Sequence, residues 1–218
     1  MITLFLIGNI ASGKSTAARY LERRGALRID LDQLAKDLYQ PGSAVVDEIA
    51  QEFGWGVLDA CGGIDRSALA ARAFASPEDA QRLNAIVHPV VLEQLGLRLL
   101  PANCCSVMVP EHDLAVVEVS APEGFTDAFA LADEVVAITA PVEVRRVRAI
   151  DRGMVPSDFD RRAECQPSDE RLASLASRVI DNSSADDSLF DSLDRLVEGL
   201  GVSLPVSSRS ARMEGRHV

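Results

Sequence analysis

Apolar positions fall into short runs separated by stretches where they recur every three or four residues. Ile2–Ile7, "ITLFLI", has the length of a buried strand, and Leu114–Val119 ("LAVVEV") and residues 134–138 ("EVVAI") repeat the pattern. Two shorter runs, residues 26–30 ("ALRID") and Arg178–Asp181 ("RVID"), read as further strands. Helical spacing predicts a helix in "AARYLERRG", closed by Gly25, one over 32–39 halted before Pro41-Gly42, and one starting at Ser43. Another follows the Gly62-Gly63 turn, its start marked by Asp65 and Ser67. A longer one opens at Ser76, Pro77 and Glu78; Pro89 should bend or interrupt it, because proline removes a helical hydrogen bond and clashes with the preceding turn. Residues 142–150, "DFDRRAECQ" and "SLFDSLDRLVEGL" supply the remaining helices, and from Val202 the periodicity lapses into an expected frayed tail, 201–218. Strands apolar along their length, alternating with helices, predict a parallel sheet covered on both faces. The fold class is α/β, doubly wound.

Composition narrows the class. A chain of 218 residues, 47% hydrophobic, suits one domain or one domain with a small subdomain. The formal net charge of −11 argues against a nucleic-acid binder, which needs a basic face. Cys61, Cys104, Cys105 and Cys165 form no C-x-x-C pair, and no histidine is spaced for zinc, so a reducing compartment is expected. The first strand starts at the N-terminus, without a charged leader or an apolar run of about 18 residues. The expectation is a cytoplasmic protein that neither enters nor crosses a membrane.

"GNIASGKST", between the first strand and the first helix, matches G-x-x-x-x-G-K-[ST] at every fixed position. Gly8 and Gly13 let the backbone turn tightly against an anion. The N–H groups of Ala11, Ser12, Gly13, Lys14, Ser15 and Thr16 then point at phosphate oxygens, helped by the positive end of the helix. Lys14 is placed for β- and γ-phosphates and the Ser15 hydroxyl for magnesium. The loop does not choose among GTPase, ATPase and kinase. There is no N-K-x-D stretch to read guanine, and the chain is short for a motor or transporter, which leaves small-molecule kinases. Asp30 and Asp32 stand where the second strand ends, a position from which ligands on such sheets are bound. Each can orient an attacking hydroxyl or simply cap the next helix; Asp32 is the stronger catalytic candidate, and Asp30 can also serve magnesium-bound water.

These residues and those after them resemble the dephospho-coenzyme A kinase family over about residues 1 to 200. The motifs that carry the resemblance are "GNIASGKST", "IDLD", "AK", "QPG", "LDACGGIDRSAL", "VHP" and "VIDNS", in that order. The resemblance implies a phosphate-loop kinase core with a helical acceptor part at about 32–100 and a mobile lid at about 149–166. It implies ATP and Mg2+ as cofactors and dephospho-coenzyme A as substrate, phosphorylated on its ribose 3′-hydroxyl. Asp32 would be the general base, Lys36 would contact acceptor phosphates where the family has arginine, and His88 would be the acceptor-part histidine, unless it is a packing residue. Asn182 would approach adenine, or else form a strand-end turn. Arg148 and Arg152 are the lid candidates for the transferring phosphoryl group. Arg145 and Arg146 read as a solvated helix face, and Arg161 and Arg171 as exposed ion pairs. Besides Lys36, the sequence departs from the family in the order Asp151-Arg152, where R-D is usual, and in two stretches. Asn9-Ile10-Ala11 stands where more glycine is usual, and "VVEVSAPEGF" replaces a strand end of the form D-x-P-L-L, so Glu118 takes an aspartate's place toward magnesium-bound water. The altered 118–122 turn leaves room for another acceptor, and a nucleotide-binding regulator without transfer is the reading from a different class.

Overall fold

The computed structural model describes residues 1–99, 112–184 and 186–205. Cys104 and Cys105 lie outside them. The chain forms two compact units, one of Met1–Ile29 with Cys104–Val218 and one of Asp30–Asn103.

The first unit is built on a five-stranded sheet of β1 (Ile2–Ile7), β2 (Leu27–Asp30), β3 (Leu114–Val119), β4 (Glu134–Thr139) and β5 (Arg178–Asp181), in the order β2-β3-β1-β4-β5. β1 pairs in parallel with β3, Ile2 beside Leu114 and Ile7 beside Val119, and in parallel with β4 on its other side. β4 pairs in parallel with β5. The central strand is therefore the one that runs into the glycine-rich loop. All six residues of β3 are buried, as the unbroken apolar run predicts for a strand covered on both faces. Leu4, Leu6, Val116, Val136 and Ile138 pack with helix α1 (Lys14–Arg23) and with Leu189, Leu193 and Val197 from the last helix, α9 (Ser188–Gly199). Residues 202–205 depart from the frayed tail expected of them. Val202 is buried in this core, and Arg24 donates from Nε to the Pro205 carbonyl at 2.9 Å and from a terminal nitrogen to that of Leu204.

The second unit is helical: α2 (Leu31–Asp37), α3 (Ala44–Phe53), α4 (Arg66–Ala73) and α5 (Pro77–Leu99). Asp65 caps α4 by accepting from the backbone N–H groups of Ser67 and Ala68. The Gly62-Gly63 turn is held by Asp59, which accepts from the N–H groups of Cys61 and Gly63. α5 is not interrupted at Pro89. Leu83, Val87, Val91, Leu95 and Leu99 form one buried row at four-residue spacing on both sides of the proline, and Pro89 itself is exposed. Burial of that row carries the helix across one missing backbone donor. Between β4 and α8 (Asp169–Leu175), the first unit also contains α6 (Val142–Asp151) and α7 (Pro156–Glu164), the latter anchored by fully buried Phe159. No helix among the described residues is long and apolar enough to cross a membrane.

Candidate functional site

β1 ends in the loop at residues 8–16. A Cβ on Gly8 would stand 2.6 Å from the Ile138 carbonyl oxygen and 2.7 Å from Ser12 Oγ, so the loop lies against β4 where only glycine fits. Gly13 is the residue before α1, with φ +108°, and no side chain caps that helix. The first N–H groups of α1 are therefore left without a side-chain acceptor, as donors for an anion. Ala11 adopts φ 59°, a left-handed conformation that a side chain tolerates at some cost. The loop is tethered on its other flank. Asn9 Nδ2 donates to the Pro167 carbonyl at 2.9 Å, and the Ile10 N–H donates to Gln166 Oε1 at 2.9 Å.

Glu118 organises the charge beneath the loop. It is 1% exposed at the end of β3 and divides its two oxygens. Oε2 accepts from the Ser15 hydroxyl at 2.6 Å and lies 3.5 Å from Lys14 Nζ; Oε1 takes Arg28, whose Nε and terminal nitrogen both stand 2.6 Å away. Burial pushes the Glu118 carboxyl up, but the Ser15 hydroxyl, Lys14 and Arg28 together outweigh it and hold the group below the usual carboxylate range. Glu118 is thus ionised at neutral pH. Lys14 also donates to Ser120 Oγ at 3.0 Å, so the unusual turn after β3 supplies this lysine with a partner. The arrangement fits a hard divalent cation. Ser15 is an exposed residue whose proton is already directed at Glu118, which leaves its oxygen lone pairs for a metal, and the carboxylate sits one hydrogen bond behind.

Asn182, at the end of β5, points into the loop rather than away from it. Its side-chain amide donates to the Ser12 carbonyl at 2.7 Å, and its backbone N–H donates to that of Thr139. Arg148 on α6 donates to the carbonyls of Asn182 at 2.8 Å and Ser184 at 3.0 Å, which fixes the same turn from the other side. Burial, then the like charge of Arg152, lowers the Arg148 pKa, with Asp181 acting in the opposite sense. Arg152 follows α6 and is exposed. Of the two lid candidates, Arg148 is engaged with backbone and Arg152 faces solvent. The expected solvated pair divides. Arg146 is exposed and bonded to Asp160, whereas Arg145 is buried, because its Nε satisfies the Ala140 carbonyl at 3.0 Å at the start of the helix. Arg161 with Asp158 and Arg171 with Glu123 are the exposed ion pairs expected of them.

The second unit separates the roles of the two aspartates. Asp30 is the N-cap of α2, its Oδ1 accepting from the N–H groups of Asp32 and Gln33. Asp32 is the second residue of the helix, in its first turn, half-buried, with the capping task already done by Asp30. Lys36 lies four residues along the same helix, which places its Cβ on the same face as that of Asp32. His88 is half-buried on α5, in the turn before Pro89.

Sequence reasoning missed Arg28 and the tether from Gln166. A charged residue in a four-residue strand was the available signal for Arg28, but its partner depends on which strand lies beside β2. Glutamine carries no charge pattern, and its contact joins residues 156 positions apart.

A model of the family described as dephospho-CoA kinase matches residues 2–187. Among similar chains, a dephospho-CoA kinase of Corynebacterium diphtheriae is 41% identical, covering 84% of this chain and 90% of its own length. One of Anaeromyxobacter dehalogenans is 39% identical, covering 92% of each. Among solved structures, TT1252 from Thermus thermophilus superposes with a TM-score of 0.73 at 28% identity, covering 91% of this chain and 97% of that one. A dephospho-CoA kinase of Campylobacter jejuni shares the fold, with a TM-score of 0.62 at 20% identity over 91% of this chain and 96% of its own.

Proposed function

The chain belongs to the dephospho-CoA kinase family, which makes it an ATP-dependent kinase of the last step of coenzyme A synthesis, and from that premise we propose how its own residues carry the transfer. The N–H groups of Ala11, Gly13, Lys14, Ser15 and Thr16, with the Lys14 ammonium, hold the β- and γ-phosphates of ATP, whereas the Ser12 N–H expected among them donates to the Asn9 carbonyl at 3.1 Å. Ser15 and, through water, Glu118 hold Mg2+, which when bound neutralises charge shared between those phosphates. Asp32 accepts the proton of the acceptor's ribose 3′-hydroxyl as its oxygen attacks the γ-phosphorus in line. The bond from that phosphorus to the β–γ bridging oxygen breaks, and ADP and coenzyme A leave. Lys36 and His88 bind the acceptor, and Arg152, the exposed member of the lid pair, meets the equatorial oxygens. Asn182 and Arg148 act behind the loop rather than on the phosphates. The same proposal places the enzyme in the cytoplasm, acting on a small molecule rather than nucleic acid, in keeping with its net charge of −11.

The observation that supports this reading most directly is the Lys14–Glu118–Ser15 cluster, which joins the phosphate-binding lysine and the metal-binding hydroxyl to one ionised carboxylate. Purified protein with magnesium-ATP and dephospho-coenzyme A should form ADP and coenzyme A in equal amounts. Turnover with a different acceptor but not this one would reassign the substrate. Absence of any acceptor-dependent ADP would reject the kinase roles given to these residues.

A further inference from the structure

We propose that Arg28 is a positioning residue of the donor site: by occupying Oε1 of Glu118 it turns Oε2 toward Ser15 and Lys14, and so sets the geometry in which the phosphates and their cation are received. The proposal rests on the kinase reading above. Glutamate has one more rotatable bond than aspartate, so a glutamate at the end of β3 needs something to fix its terminal rotation. Arg28 does this from the neighbouring strand, with two nitrogens at 2.6 Å on the same oxygen, leaving Oε2 for Ser15 at 2.6 Å and Lys14 at 3.5 Å. The carboxylate is buried, whereas the Arg28 side chain keeps 21% of its surface and meets Glu22 at 3.8 Å on its outer side.

Charge balance gives the second reason. One buried anion faces two cations, Lys14 and Arg28. If Arg28 is removed, Lys14 becomes the sole neutralising group within reach of Glu118 among the contacts of that carboxylate described above. A lysine bound more firmly to Glu118 is less available to phosphate. Arg28 thus releases Lys14 for its work without touching the nucleotide.

The test is ADP binding by calorimetry, with Mg2+ and separately with EDTA, for the wild type, Arg28→Leu, Arg28→Lys, Glu118→Gln and the double variant Arg28→Leu/Glu118→Gln. Arg28→Leu should weaken ADP binding about tenfold, more with Mg2+ than in EDTA, and Arg28→Lys should recover part of the loss. Once Glu118 is Gln, Arg28→Leu should cost nothing further, because its action passes through the carboxylate. An equal loss in both backgrounds, or no loss in the wild-type background, would overturn the proposal. If Arg28→Leu fails to fold by circular dichroism, Arg28→Lys decides alone: its loss must vanish beside Glu118→Gln. Binding is read without acceptor, so failure of the wild type to phosphorylate dephospho-coenzyme A would overturn the kinase reading and leave this coupling standing.

Discussion

Asn182 fills the room that a Cβ on Gly13 would require. Its Nδ2 bonds the Ser12 carbonyl at 2.7 Å and would lie 2.1 Å from that added carbon. The glycine also holds φ +108°, where a side chain is strained. Gly13→Ala should therefore cost about 1 to 3 kcal/mol of stability in urea unfolding and abolish nucleotide binding. Unchanged ADP affinity in the folded variant would show that the loop has another way to close.

Asn182→Ala removes a buried donor and leaves the Ser12 carbonyl unsatisfied, a loss of about 1 to 3 kcal/mol. Binding separates its two possible roles. If Asn182 braces the loop, affinity for tripolyphosphate and for ATP should fall by the same factor. A loss confined to ATP would assign the side chain to the adenine ring instead.

Asp32→Asn keeps the shape and removes the base proposed for the transfer. Turnover should fall by about a hundredfold to ten-thousandfold while ATP affinity stays within twofold, measured by steady-state kinetics and calorimetry. Asp30→Asn should spare turnover far more, because asparagine caps a helix nearly as well as aspartate. Equal loss from both substitutions would contradict the division of labour.

Tyr20 gives the fold an alkaline signature. Burial first, then its hydrogen bond to Asp194, raises the hydroxyl above its ordinary value of 10.0, with Arg24 opposing. A raised folded pKa stabilises the protein fully below pH 10 and loses that contribution as pH climbs through the folded value. Wild type should therefore melt higher than Tyr20→Phe at pH 8, and the two melting curves should converge above pH 10. A constant gap would mean that Tyr20 ionises alike in both states.

The parts of this molecule that were legible are those whose chemistry is local. Gly8, Gly13, Lys14 and Ser15 announce a phosphate loop because backbone turn, close approach, charge and hydroxyl are each tied to one residue type at a fixed spacing. The alternation of apolar runs and helical patterns fixed the fold class for the same reason. Asp30 and Asp32 stayed ambiguous because either can end a strand and begin a helix, until the cap hydrogen bonds chose Asp30. Arg28 was invisible because its partner is 90 positions away and depends on β3 lying beside β2. Arg145, Arg146, Arg148 and Arg152 fall on several sides of one helical pattern. Periodicity could not show that the first is buried against Ala140 and the third bound to the turn after β5.

The clasp of Arg24 on Leu204 and Pro205, with Val202 in the core, bears on how the chain is made. Residues 30–103 form one unit from a single continuous stretch, which can leave the ribosome complete and settle early. The sheet unit cannot. Its central strand, Ile2–Ile7, is synthesised well before side chains that help to cover it, among them Leu189, Leu193, Val197 and Val202. Until then "ITLFLI" lacks the part of its cover that α9 and Val202 supply, and a chain released before Val202 should be a client for chaperones and proteases rather than a shorter enzyme.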